Sequence, residues 1–243
     1  MILKSIAYCF LSVVGIYSQA QLLKDTNVVI VDIAKHDRVE LAELIRQVNA
    51  AKPKVIGLDV FFWEDSLFRD TALVNVLNES ANLVFGTRLY GHVKENFFLE
   101  NRKSLSKFCE GKTYGFTNLV AYDSVVTEFQ PRAFANFEMH YAFAIQIADA
   151  YSTKKTQLFV DRFNKEEKIV FKGGKQKYKV IKAKDVVSSS ALMKDKIVLL
   201  GYAQGKDEDV FITSIHHNKT HKMHGVLIHA NIISMILEKS YLN

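Results

Sequence analysis

Asn27–Ile33 reads NVVIVDI, Val39–Ala50 VELAELIRQVNA, Val55–Phe62 VIGLDVFF, Asp70–Asn78 DTALVNVLN and Asn82–Leu89 NLVFGTRL. The first, third and fifth of these are short, β-branched apolar runs with no alternation, the pattern of strands buried on both faces. The second has Leu41, Leu44, Ile45 and Val48 at helical spacing and stops at Lys52-Pro53, since proline cannot continue a helix. Strand, helix, strand, helix, strand with short connections is the sequence form of a parallel sheet. The same texture returns near the end, where IVLLGY (Ile197–Tyr202) predicts a buried strand and VLIHANIISMIL (Val226–Leu237) an apolar helix.

The middle reads differently. Thr113–Val120 and Val125–Phe134 predict two strands joined by Ala121-Tyr122-Asp123-Ser124, and His140–Tyr151 an amphipathic helix. Lys168–Lys172 and Lys177–Ile181 flank Gly173-Gly174, a hairpin signal. The expected fold is α/β, a mainly parallel sheet flanked by helices, with an antiparallel, hairpin-rich insertion over roughly 91–195.

Composition narrows the classes. Of 243 residues 49% are apolar and 24% charged, enough for a sizeable core and too apolar for a disordered chain. Cys9 and Cys109 are the only cysteines, so no disulfide framework is available. A net charge of +6 permits attraction to anionic surfaces without requiring nucleic acid. Lys172, Lys175, Lys177, Lys179, Lys182 and Lys184 cluster near the expected hairpin, but only Tyr178 interleaves them for base stacking. They read as a solvated face or protected sheet edge, and nucleic acid is not expected as a partner.

Residues 1–20, MILKSIAYCFLSVVGIYSQA, carry one positive charge ahead of an apolar run, then Ser18-Gln19-Ala20. This reads as an export signal cleaved before Gln21, or as a retained N-terminal membrane anchor. Tyr8 before Cys9 is too bulky for a lipoprotein signal. Residues 21–243 then form a single extracytoplasmic domain.

Ligands of open parallel sheets bind beyond the carboxyl ends of the strands, where loops and helix N-termini converge. Asp32, Asp59 and Arg88 fall at such ends, and Asp209 follows the last strand. These four are the candidate ligand-binding residues, although a strand-end Asp also commonly caps a loop or helix. The loop GYAQGK (Gly201–Lys206) has three residues between its glycines where a phosphate-cradling loop needs four, and Asp207 replaces its hydroxyl residue. HHNKTHKMH (His216–His224) has imidazoles but no accompanying cysteine, and His229 falls inside the apolar helix as a core histidine. No metal or other cofactor is therefore expected, and no catalytic residue is assigned.

The order of these segments resembles the second class of CHASE domain (cyclase/histidine-kinase-associated sensory extracellular). At the start the similarity rests on VVIVDI, KPKVIGLDVFF and NLVFGTRL; at the end on MKDKIVLLGYAQGKDEDVFITS and HGVLIHANIISMIL. The closing elements of that class, a strand-Gly, Asp-x-Phe-x-Thr and Gly-(x)3-His-Ala-Asn, fall on Gly201, on Asp209, Phe211 and Thr213, and on Gly225, His229, Ala230 and Asn231. Ser214 stands where the class usually has a proline. The resemblance implies an extracytoplasmic sensory module of a bacterial transmembrane signalling protein, without an established ligand. Such modules usually precede transmembrane helices and a cyclase, kinase or phosphatase; the sequence stops at Asn243 before either, so it is expected to be part of a longer protein or a sensor that hands its signal to a partner. The implied partners are a small ligand or cell-envelope component, the membrane through the N-terminal segment or C-terminal helices outside this sequence, and a second copy in a homodimer. Two other readings remain open: an interaction scaffold without a small ligand, and a metal-assisted hydrolase using these acids with His216, His221 or His224.

Overall fold

The computed structural model describes residues 25, 27–33, 35–65, 70–94, 96–205, 209–214 and 220–242. The expected signal or anchor at 1–20 lies outside them, as do Asp207, His216 and His217.

Five parallel strands form the centre. β1 (Val28–Asp32), β2 (Val55–Leu58), β3 (Leu83–Lys94), β11 (Lys179–Lys182) and β12 (Ile197–Gly201) lie in the order β11-β1-β12-β2-β3. β5 (Thr113–Phe116) runs parallel to the first half of β3. Alternate side chains divide between two cores, as the pleat dictates. Val28, Ile30, Val55, Val84, Ile197 and Leu199 face one, and Val29, Val31, Ile56, Leu58, Phe85 and Leu200 the other. A strand with both faces buried has no polar side to show, hence the unbroken apolar runs.

One face is covered by α1 (Arg38–Ala50) and α2 (Asp70–Glu79). The start of α1 is fixed by a capping box: Asp37 accepts from the N–H groups of Val39 and Glu40, and Glu40 accepts from the Asp37 N–H at 2.9 Å. The other face carries α4 (Phe143–Val160) and α5 (Gly225–Glu238). The short α3 (Ser106–Cys109) places Phe108 and the buried free thiol Cys109 in the core beneath α1 and α2. Gly57 and Gly115 permit the close approach of α4: a Cβ on Gly57 would lie 2.5 Å from Ile147 Cδ1, and one on Gly115 2.7 Å from the Phe143 backbone.

The expected antiparallel insertion is present, with different boundaries. β4 (Phe97–Arg102) folds back on the second half of β3, and β8 (Arg132–Ala135) and β9 (Glu138–Tyr141) pair antiparallel beyond it. β6 (Val120–Tyr122) and β7 (Val125–Phe129) make a hairpin whose turn residues Asp123 and Ser124 have φ of 48° and 66°. β7 joins a second, five-stranded sheet with β10 (Glu167–Lys168), β13 (Val210–Ser214) and β14 (Thr220–His224). Gly173-Gly174 does not close a hairpin. β10 pairs antiparallel with β7, whereas β11 crosses to the other sheet and lies parallel to β1. The lysines are therefore an edge feature, since Lys179 and Lys182 are exposed on the outermost strand of the main sheet. His140 belongs to β9, so the following helix begins three residues later than its apolar pattern suggests and extends to Val160.

α5 is buried along its length from Gly225 to Leu237, and it runs against the direction of the strands. Its first turn meets the carboxyl end of β12, where Val226 abuts Gly201. Near its far end Ser234 donates to the Asp25 carboxylate and accepts from the Tyr178 hydroxyl at 3.3 Å. Asp25 in turn caps the start of β1 by accepting from the Asn27 and Val28 N–H groups.

Candidate functional site

A cavity of about 520 Å³ opens beyond the carboxyl ends of β12, β2, β3 and β5. That volume is in the range of small-molecule sites, about 300–1,000 Å³. Asp59 and Phe61 reach it from the end of β2, Arg88 from β3, and Thr117 and Asn118 from the end of β5. Tyr202 follows β12, Asp209 and Phe211 come from the second sheet, and Gly225 and His229 from the first turn and a half of α5. The two sheets and the most buried helix thus meet at one place.

Three of the four residues expected from the sequence stand around this cavity: Asp59, Arg88 and Asp209. Asp32 does not line it. Its carboxylate is buried and accepts from the Ala203 N–H at 3.0 Å, so it fixes the turn leaving β12. Both carboxyls at the cavity are held above their ordinary range. Burial, then the neighbouring Asp209 charge, raises the Asp59 pKa to about 7, with Arg88 opposing. Burial raises Asp209 to about 6, opposed by the Gly225 N–H and by Arg88. The Asp209 residue is itself exposed, but its carboxyl turns in beneath α5: a Cβ on Gly225 would lie 2.5 Å from Asp209 Oδ2. The Gly225 N–H donates to the Asp209 backbone oxygen at 3.0 Å, and Asp209 holds a φ of 56°, a left-handed conformation costly for most residues with a side chain.

Arg88 is exposed, and its guanidinium lies 5.4 Å from the Phe61 ring centroid. Phe61 stacks in turn on Trp63 at 5.3 Å with the rings 4° from parallel. A layered stack of cation, ring and ring therefore forms one wall, and Trp63 keeps 43% of its surface exposed.

His229 was read from the sequence as a satisfied core histidine. It is buried, 3% exposed, and its ring meets Phe143 edge-on at 5.4 Å. Its ring is hydrogen-bonded to the Thr117 backbone, yet Nδ1 is buried without a partner. Burial lowers its pKa to about 4, so at neutral pH the ring is uncharged, with one N–H and one bare nitrogen. The bond to Thr117 uses the N–H and leaves Nδ1 as an unanswered acceptor. Asn118 and Thr117 are otherwise occupied: Asn118 exchanges both its amide groups with the Leu89 backbone, and the Thr117 hydroxyl donates to the Thr87 carbonyl.

His221 is exposed on β14, whereas His224, its last residue, is buried where α5 begins. Among the described residues no three His, Cys, Asp or Glu side chains are grouped so as to hold a metal ion. No described helix is long and apolar enough to cross a membrane.

No curated protein and no solved structure gives a match to the chain. The CHASE2 domain family does match, over residues 14–243, which includes both sheets, the five α-helices among the described residues and every residue of the cavity. The elements that carried the resemblance in the sequence, Asp209 and Phe211 in one and Gly225 and His229 in the other, all line that cavity, with Gly225 packed directly on Asp209. With this match over nearly its whole length, the chain belongs to the CHASE2 domains, a family of sensory domains.

Proposed function

We propose that this domain is the extracytoplasmic sensory module of a bacterial transmembrane signalling protein, and that it binds a small ligand in the cavity at the strand ends. The observation that carries this is the convergence of Asp59, Arg88 and Asp209 on one cavity of small-molecule size. Two acids kept at the edge of ionisation by burial, beside an exposed guanidinium, form a site whose charges are unbalanced while it is empty. Such groups give orientation and specificity through charge-assisted hydrogen bonds. The reading is binding rather than catalysis. Membrane association would come through the N-terminal segment or through helices beyond Asn243, which places the domain in the periplasm or at the cell surface.

The test is a thermal-shift screen of the purified domain against sugars, polyols, amines, amino acids and divalent cations. A ligand that binds only the folded state raises the melting temperature by mass action, and Arg88→Gln should abolish that rise. Silence across the screen would overturn the reading.

One observation favours a second reading, an interaction scaffold or homodimer. Phe97, Phe134 and Met139 lie opposite one another across β4, β8 and β9, the first two stacked at 5.1 Å, and Phe97 and Met139 are more than 40% exposed. An exposed apolar row of this kind suits a protein contact. Sedimentation of the wild type against Met139→Lys would separate the two readings, because the change leaves the cavity untouched.

A further inference from the structure

The polar groups at the cavity sort by chemistry. On the inner side stand three acceptors, the Asp59 and Asp209 carboxyls at the lining and, buried behind it, the bare Nδ1 of His229. His229 and Gly225 are four residues apart on α5, so they share a helix face, and Gly225 sits directly on the Asp209 carboxyl. Val226, the next residue, and the Asp59 Cβ both abut Gly201, at 3.0 and 3.4 Å from where its Cβ would stand. These contacts draw the three acceptors toward the first turns of α5. On the outer side Arg88 offers charged donors, stacked on Phe61 with its guanidinium open to solvent.

We propose that the cavity takes a small zwitterion of the amino-acid type, its ammonium group received by Asp59 and Asp209 and its carboxylate by Arg88. An ammonium group has three N–H donors and no acceptor, which suits a site walled by two carboxylates. A guanidinium presents a planar fork matched to a carboxylate, and its stacking on Phe61 limits the orientations it can adopt. A divalent cation satisfies the inner side less well, because no three of these side chains are grouped closely enough to hold one. The remaining wall, with Val60, Phe61, Trp63, Leu119, Tyr202 and Phe211, is apolar or aromatic and selects an apolar side chain on the ligand. The raised pKa values of the two acids accord with this arrangement, since an arriving cation ionises both and expels the proton they hold when the cavity is empty.

The proposal rests on the binding-module reading, and one experiment separates their failures. The purified domain is screened by thermal shift and calorimetry against the free L-amino acids, against their decarboxylated amines, against their deaminated acids and against neutral sugars. The expected result is that an apolar or aromatic amino acid binds, that its amine and its acid each bind at least tenfold more weakly, and that binding releases protons in proton-inventory calorimetry. Arg88→Gln, on an exposed side chain, should weaken the amino acid at least tenfold while leaving the amine unchanged, and Asp209→Asn should weaken both. If sugars bind and amino acids do not, or if a deaminated acid binds as well as its parent, the zwitterion is overturned while the binding module stands. If nothing binds, both are overturned.

Discussion

Asp209 and Gly225 are matched by the absence of a side chain: only a residue without a Cβ leaves room for the Asp209 carboxyl beneath the first turn of α5. Gly225→Ala is therefore expected to expel that carboxyl rather than to disturb the helix, because alanine is otherwise the better helix former. The melting temperature should fall modestly, by the equivalent of about 1–3 kcal/mol for overpacking. Ligand affinity should fall with it, and the Asp209 pKa, followed by carboxyl NMR, should drop toward the ordinary range as the group reaches water. An unchanged titration in the variant would show that the carboxyl has another place to go.

Stability should decline as pH rises from about 4 to 7. Asp59 and Asp209 have folded pKa values near 7 and 6 against 3.8 for the ordinary carboxyl, so the unfolded chain loses protons that the folded chain retains. His229, lowered to about 4 from 6.5, acts in the opposite sense over nearly the same window. Two acids against one imidazole leave about one net proton, or at most about 1 kcal/mol per pH unit once solvent access to Asp209 is discounted. Urea denaturation at pH 4.5, 6 and 8 measures the slope, and a rising curve over this interval would contradict the assignment.

Asp59→Asn should stabilise the fold at pH 8 by about 1–3 kcal/mol and change little at pH 4, because the amide mimics the protonated acid. The same variant should bind ligand poorly. A gain in stability joined to a loss of binding is the signature of a group retained for function rather than for folding.

Asp32→Ala should behave in the opposite way. It removes the acceptor for the buried Ala203 N–H and should cost about 1–3 kcal/mol. Arg88→Gln, at an exposed site, should cost little. Comparing the two melting temperatures tests the division between a carboxylate that shapes the loop and a guanidinium that faces the cavity.

The central sheet was legible because its strands are buried on both faces and must be apolar throughout, so NVVIVDI, VIGLDVFF and IVLLGY announce themselves. β11 was not, since Lys179–Lys182 pairs with β1 from about 150 positions earlier in the chain, and nothing local distinguishes that partner from a hairpin mate. The strand-end rule found Asp59 and Arg88 but gave Asp32 the same standing. The difference lies in one backbone N–H, that of Ala203, which the sequence does not orient. His229 was missed as a cavity residue because an apolar helix hides which of its faces meets an opening; its spacing of four from Gly225 was the available signal. Phe61 and Trp63 were likewise visible only as the ragged end of an apolar run, and the alternation Phe61–Trp63 two residues apart was the clue to a shared wall.

The burial of α5 on every side has a mechanical consequence. Its 14 residues extend about 21 Å, and about 14 Å of that separates Gly225 at the cavity from Ser234, which clasps Asp25. Close-packed neighbours leave no slack for bending, so a ligand that nudges the first turn displaces the whole rod lengthwise. A push at the cavity would thereby be felt at Asp25, with Tyr178 and Ser234 as the coupling that must give way or follow.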